Sequence, residues 1–313
     1  MIKLKEEIGY VFTRGKKYLH WKVNSFLNRP DPGFTLMVPG EFRPLYHSRS
    51  GYHGPWIENY FYSYWCGNKK KIKGNEMDRI YIPIFWTDYY LRHDRRKPNK
   101  ELQKFIDENI KPDKKYFTIV QNADGIIEKL PGNILVFGAG GVGDVPVPLL
   151  KGEPRRKGNG KRNINVSFMG NIKGIKVREK MFQALQDEKD YYFGSGGLDE
   201  FMDITSRSVF TLCPRGYGRT SYRLYEAMAL GSIPIYIWDD IEWLPYKDRL
   251  NWDEFSISIN ISDIGKLPQI IEGHTPEKVA RKQKKIEELR CEYFTYEGVC
   301  RQIVRMLRER FER

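Results

Sequence analysis

The sequence predicts an α/β protein built on parallel sheets, and two observations carry that prediction. Short apolar, strand-like runs alternate with helix-forming segments in both halves of the chain. Residues 208–240, SVFTLCPRGYGRTSYRLYEAMALGSIPIYIWDD, then compress a strand, a glycine-bearing basic loop, a helix and a second strand into one unbroken βαβ unit.

In the first half, strand-like runs fall at Asp78 to Trp86, Tyr116 to Gln121 and Asn133 to Phe137, with a helix expected over Lys100 to Ile110. In the second half, INVSFMG at 164–170 reads as a strand and Val177 to Gln186 as a helix. Val209 to Leu212 is a short, partly β-branched strand, after which Arg215, Gly216, Gly218 and Arg219 are too glycine-rich and too charged to be core. Ser221 is placed to cap a helix over Tyr222 to Leu230, Gly231 to stop it, and Ser232 to Trp238 to form a buried strand. A further strand at 255–261 and basic helices complete the chain. Between the halves, KGEPRRKGNGKRN at 151–163 replaces hydrophobic periodicity with Gly, Pro and charge, so the expected organisation is a domain at 1–150, a linker at 151–163 and a domain at 164–313.

At 313 residues, 40% hydrophobic and 14% aromatic, the chain can build real cores and is not a disordered tail. Its formal charge of +13 suits an anionic substrate, a nucleic acid or an acidic membrane surface, although the basic runs at 69–73, 92–96, 111–115 and 151–162 also read as solvated surface. Cys66, Cys213, Cys291 and Cys300 have no metal-ligand spacing, which fits a reducing compartment. The N-terminal MIKLKEEIGYVFTRGKKYLHW has no apolar block long enough for a signal peptide or a membrane span, so a soluble, cytoplasmic protein is expected.

One motif misleads. Gly138, Gly140 and Gly143 in FGAGGVGD have the G-x-G-x-x-G spacing of a dinucleotide fingerprint, but Pro146 and Pro148 forbid the helix that should follow, and no acidic residue stands at a suitable distance. This loop is a turn leaving a strand.

The βαβ unit at 208–240 is different. Its loop turns backbone N–H groups and a helix N-terminus toward the strand end, with guanidinium groups beside them, which makes an anion its natural occupant. Arg223 lies in the first helical turn and Glu226 three residues on, sharing a face. The arginine fork can pair with a diphosphate while the carboxylate accepts hydrogen bonds from ribose hydroxyls; the bland alternative is an ordinary i,i+3 surface pair.

Ser208, Phe210, Leu212, Pro214, Gly216, Ser221, Arg223, Glu226, Ala227, Gly231, Ile233 and Pro234 fill the pattern S-x-F-x-L-x-P-x-G, S-x-R-x-x-E-A, G-x-I-P. That block resembles the donor site of the exostosin-type glycosyltransferases, glycosyltransferase family 47. Phe168, Gly170 and Arg178 resemble the family's F-x-G and following Arg, and Asp144, Val145 and Pro148 its D-V-x-x-P. The resemblance covers about 144–310 and is similar to the short soluble relatives encoded by large algal viruses.

It implies a GT-B architecture, two Rossmann-like domains facing a central cleft, with the last helix packing back on the N-terminal domain. The implied activity is metal-independent inverting transfer of a sugar, xylose by the nearest resemblance, from a UDP-sugar to a glycan hydroxyl such as an N-glycan. No D-x-D triplet and no His/Cys cluster points to a metal. The donor-site residues so implied are Met169, Gly170, Asn171, Arg178, Pro214, Arg215, Gly216, Arg219, Ser221, Tyr222, Arg223 and Glu226, with Arg223 stabilising the departing diphosphate. A base must come from the other domain, and Asp88, just past the run Tyr81 to Trp86, is the candidate, against the alternative of a helix cap. Glu58, His53 and Asp94 compete for that role. His53, Trp56, Glu58, Trp86 and Tyr89 are the expected acceptor-binding residues, the aromatics as a sugar-stacking platform or, alternatively, as core. Two other classes stay open: a basic nucleic-acid-binding protein and a catalytically inactive sugar-nucleotide binder.

Overall fold

A computed structural model describes residues 34–44, 55–68, 72, 77–93, 97–152 and 162–309. The chain divides into two compact units, residues 1–121, 126–136 and 300–313 in the first and residues 122–125 and 137–299 in the second. The expected linker therefore falls inside the second unit, and 153–161 of it lie outside the described residues.

In the first unit, helix α1 (Ile57–Gly67) precedes strand β1 (Arg79–Tyr81), which leads to a short helix α2 (Trp86–Tyr90), then α3 (Lys100–Asn109) and strand β2 (Lys115–Val120). β1 and β2 pair in parallel from Arg79↔Lys115 to Tyr81↔Phe117. The expected strand over Asp78 to Trp86 is cut short because Pro83 has no N–H to extend a ladder, so residues 82–85 run on extended and enter α2. Asn99 caps α3 by accepting from the N–H groups of Glu101 and Leu102 at 2.9 and 3.1 Å. Leu102 and Ile106, one helical turn apart, then bury against Phe42, Ile84, Trp86 and Tyr116.

The division between the units falls inside β3 (Ile134–Gly138), whose last two residues pair in parallel with the short β4 (Val145–Pro146). No helix follows Gly143: Pro146 and Pro148 hold the chain extended, as their fixed φ requires.

The rest of the second unit is one five-stranded sheet. Its strands are β5 (Ile164–Met169), β6 (Tyr191–Gly194), β7 (Ser208–Pro214), β8 (Ile233–Trp238) and β9 (Ile257–Asn260), in the order β6-β5-β7-β8-β9 and all parallel. Helices α4 (Lys176–Leu185), α5 (Leu198–Arg207) and α6 (Tyr222–Ala229) provide the crossovers, and α7 (Leu267–Glu272) and α8 (Pro276–Tyr293) follow β9; most of the last helix, α9 (Tyr296–Arg308), belongs to the first unit. Phe210, Leu212, Ile233, Ile235 and Ile237 are at most 1% exposed, so the two central strands read as nearly continuous apolar runs. Each such side chain contributes about 1.5–3 kcal/mol of burial.

The strand order reverses between β5 and β7. In an open parallel sheet that reversal sends the following helices to opposite faces and opens a crevice outside the strand ends, where ligands bind. Met169 ends β5 and Pro214 ends β7, so the loops that the sequence singles out flank this crevice.

Candidate functional site

Arg223 is the centre of the site. Ser221 caps α6 by accepting from the Arg223 N–H at 3.3 Å, which holds the first helical turn against the end of β7. The Arg223 side chain reaches β5, where Nη2 donates to the Met169 carbonyl. Its guanidinium lies over the Phe168 ring at 4.8 Å and near that of Phe201 at 5.8 Å. Gly170, at φ +153°, makes this possible, because a Cβ there would collide with Arg223 Nη2. The F-x-G pattern at 168–170 is thus a cradle for one arginine: an aromatic face, a carbonyl acceptor and a missing side chain.

Arg178, from the first turn of α4, stands next to it. Nη1 donates to the Asn171 carbonyl at 3.0 Å and Nε to that of Arg215 at 3.4 Å. Burial lowers its pKa to about 10, and the charge of Arg223 adds to the shift. Burial likewise lowers Arg223, against the opposing influence of Cys213 and Glu226. Arg223 Nε is buried with no hydrogen-bond partner. Among the described residues neither guanidinium has a carboxylate in ion-pair contact, since Glu226 is held by Lys151 at 3.1 Å. Two adjacent, partly desolvated cations without a counter-charge are costly, and an anion between the β5 and β7 ends offsets that cost.

The loop arginines behave differently. Arg215 Nη1 is bound by Asp239 at 2.6 Å and Asp240 at 3.0 Å, while Nε and Nη2 donate to the carbonyls of Gly218 and Tyr217, both at 3.1 Å. Arg219 Nε donates to Asp240 at 2.8 Å and Nη1 to the Gly141 carbonyl at 3.0 Å. Burial would raise the Asp240 pKa, yet the hydrogen bond from Arg219, the Ile241 N–H and the Arg215 charge hold it at about 2. These arginines, expected at the phosphate, are instead neutralised from the end of β8 and shape the loop.

The rejected glycine motif has its place here. Gly141, at φ +113°, lies so close that a Cβ would overlap the Arg219 N–H, and a Cβ on Gly218 would overlap the Gly140 carbonyl. Residues 138–143 therefore dock backbone-to-backbone on the 215–219 loop, which no residue larger than glycine permits.

Met169, Gly170, Asn171, Arg178, Ser221 and Arg223 are thus brought together, with Pro214 and Gly216 at the adjoining strand end; Tyr222 and Glu226 face Lys151. Lys151 was missed because it opens a basic run that reads as solvated surface. Phe201 was missed because α5 has no cap or repeat that ties it to the motif.

The first unit corrects the acceptor-side expectations. Trp86 and Tyr89 are 1% and 2% exposed and belong to the core, with Trp86 Nε1 donating to Thr118, so they form no surface platform. Glu58 is fully buried and accepts from the Thr87 N–H at 3.0 Å, the Thr87 hydroxyl at 2.6 Å and the Gln121 N–H at 2.7 Å. Burial pushes its pKa up to about 8, outweighing the hydrogen bonds that lower it. Asp88 is 2% exposed, its two oxygens accepting from Trp56 Nε1 and Asn59 Nδ2 at 2.9 Å each, which is the environment of a structural carboxylate. His53 and Asp94 lie outside the described residues. Among the described residues no cluster of His, Cys, Asp and Glu could hold a metal, and no helix is long and apolar enough to cross a membrane.

Comparison with known proteins bears on this site directly. The family model for the Exostosin GT47 domain matches residues 142–273. This part of the chain is exostosin-like. Its span takes in β5 to β9 with the whole Arg178–Arg223 cradle. Relatives of the domain include "Probable glucuronoxylan glucuronosyltransferase IRX7" of Arabidopsis thaliana, 29% identical over 39% of this chain and 27% of the relative. "Probable beta-1,4-xylosyltransferase IRX10L" of the same plant is 38% identical over 34% of this chain and 26% of the relative. "Probable glucuronosyltransferase GUT1" of Oryza sativa subsp. japonica is 39% identical over 36% and 27%. The matched region spans about a quarter of the length of these curated relatives. Among solved structures, sucrose-phosphate synthase from Thermosynechococcus elongatus aligns with a TM-score of 0.40 and 13% identity, over 80% of this chain and 72% of that one.

Proposed function

We propose that the protein is a glycosyltransferase that moves a sugar from a UDP-sugar to a hydroxyl of a glycan, with inversion at the anomeric carbon. The observation that carries this reading is the pair Arg178 and Arg223, held without carboxylate partners among the described residues at the switch point of the region that matches the exostosin GT47 domain. In the reaction, the acceptor oxygen bonds to the anomeric carbon as the bond to the β-phosphate oxygen breaks. The electron pair leaves on UDP, where the two guanidinium groups and the N-terminus of α6 stabilise it. The proton of the attacking hydroxyl passes to a base. With cations fixed in this way the reading needs no metal. Glu226 accepts from the ribose hydroxyls.

For the donor we favour UDP-xylose, supported by the resemblance to short soluble relatives and by the xylosyltransferase among the domain's homologues; the acceptor is read as a protein N-glycan. The glucuronosyltransferases among the relatives make UDP-glucuronate the comparison. Thermal stabilisation and slow donor hydrolysis, measured across a panel of UDP-sugars, test both levels. A rise in Tm with UDP and turnover of UDP-xylose are expected. No response to UDP overturns the reading, and turnover of UDP-glucuronate alone replaces the sugar.

A further inference from the structure

A small cavity in the second unit is lined by Leu149, Lys151, Tyr222, Tyr225, Glu226 and Tyr296, among others. Its polar centre is the ion pair of Lys151 Nζ with Glu226 Oε1 at 3.1 Å, the side chains being 21% and 10% exposed. The ammonium also lies 5.4 Å from the Tyr222 ring centroid, so an aromatic face and a carboxylate together fix where Nζ sits. The main chain just before Lys151 is held as well, the Leu150 carbonyl accepting from the buried Tyr296 hydroxyl at 3.3 Å.

The ion pair with Lys151 is the one polar contact made by the Glu226 carboxylate among the described residues, and it is made through Oε1. Oε2 is not among the sealed, unpartnered polar atoms, and Glu226 lines the cavity. A carboxylate that is 8% exposed normally has both its oxygens bonded within its own protein; this one gives one oxygen to a lysine and leaves the other for a ligand. Glu226 lies one helical turn from Arg223, so a group bound at Oε2 sits a short span from the anion between Arg178 and Arg223. A vicinal diol carried next to a diphosphate has the chemistry for such a pair of sites.

We propose that Lys151 is a positioning residue for nucleotide recognition. By gripping Oε1 it turns Oε2 of Glu226 toward the ribose diol, and so makes the site discriminate nucleotides by their hydroxyls. The proposal rests on the nucleotide-sugar reading. It also gives the first residue of the expected linker a role that composition hides.

The test compares binding of UDP and of 2′,3′-dideoxy-UDP to the full chain by calorimetry, for wild type, Lys151→Met and Lys151→Arg. Wild type is expected to prefer UDP by about tenfold or more. Lys151→Met should lose most of that preference through weaker UDP binding, with dideoxy-UDP affinity unchanged, and Lys151→Arg should restore part of it. A Lys151→Met protein that melts earlier but keeps the wild-type ratio overturns the proposal, because a purely structural ion pair leaves discrimination intact. Should Lys151→Met fail to fold, Lys151→Gln takes its place in the same comparison. If wild type binds neither nucleotide, the nucleotide-sugar reading falls and this inference with it, an outcome distinct from wild-type binding with an unchanged ratio.

Discussion

The two units treat buried ionisable groups in opposite ways. In the first, near the ends of β1 and β2, the carboxylates of Glu58, Asp88 and Glu128 are surrounded by donors from their own unit: Thr87 and Gln121, Trp56 and Asn59, Tyr90 and Asn99. In the second, at the ends of β5 and β7, Arg178 and Arg223 lie side by side with no carboxylate in contact among the described residues. A buried polar group whose hydrogen-bond partners are all present is accommodated in the fold, whereas a buried charge left short of a partner costs stability until something else supplies it. The contrast separates framework from site, and it can be broken at either end.

The largest effect is expected at Arg223. Arg223→Ala removes the charge from the developing diphosphate and should lower transfer by about 10²–10³, the loss typical of one oxyanion donor. Tm should hold or rise in the absence of ligand, because an uncompensated cation has gone. Arg223→Lys keeps a charge but cannot bond Met169, stack on Phe168 and pair with a phosphate at once, so it should recover only part of the rate. Equal loss of Tm and activity in Arg223→Ala would place this arginine with the framework instead.

Glu58 should respond in the opposite manner. Glu58→Ala strands three buried donors and is expected to cost about 3 kcal/mol of stability, read by urea denaturation. Its titration adds a signed prediction. The folded pKa of about 8 stands above the ordinary 4.5, so the native state holds this proton more tightly than the unfolded chain. That contribution is complete below about pH 4.5 and is lost as the pH rises through about 8. Stability should therefore fall between those values in wild type, and Glu58→Gln, uncharged throughout, should flatten that part of the profile.

The same contrast explains what could be read from the chain. β5, β7, α6 and β8 were legible because strand, loop and helix follow one another in sequence, with Ser221 as cap and Gly231 as stop. Phe168, Gly170 and Arg223 stood out as separate motif positions, while their packing on one another came only with the structure. The fates of Arg215 and Arg219 were not, because their partners Asp239 and Asp240 come from the next strand end and nothing local links them. In the first unit Trp86, Tyr89 and Asp88 form a polar-aromatic run of the same composition whether it lines a groove or fills a core. Packing against α3 and β2 decides, and that is tertiary information.

Gly170→Ala probes the cradle more gently. The added methyl meets Arg223 Nη2 and strains a φ of +153°, so the guanidinium must shift by part of an ångström. UDP affinity should drop about tenfold, close to 1.4 kcal/mol, with a loss of about 1–2 kcal/mol in stability. Unchanged UDP binding would mean that the position of Arg223 over Phe168 is not what the nucleotide reads.

Asp88 gives the smallest expected change and the sharpest test of the division. Asp88→Asn preserves shape but turns an amide N–H₂ toward either Trp56 Nε1 or Asn59 Nδ2, both of which are donors. One hydrogen bond is lost and two donors oppose each other, at a cost of about 1–2 kcal/mol. UDP binding in the second unit should be untouched. If Asp88 is framework, turnover measured well below the new Tm stays within about twofold of wild type, and Asn59→Ala, which relieves the clash, returns part of the stability. The base that the reaction requires would show the reverse: an intact Tm, intact UDP binding and a rate reduced by about 10²–10⁴. Loss of turnover without loss of stability would therefore move Asp88 out of the framework and show that a carboxylate saturated with hydrogen bonds in the free protein takes a proton once an acceptor is bound.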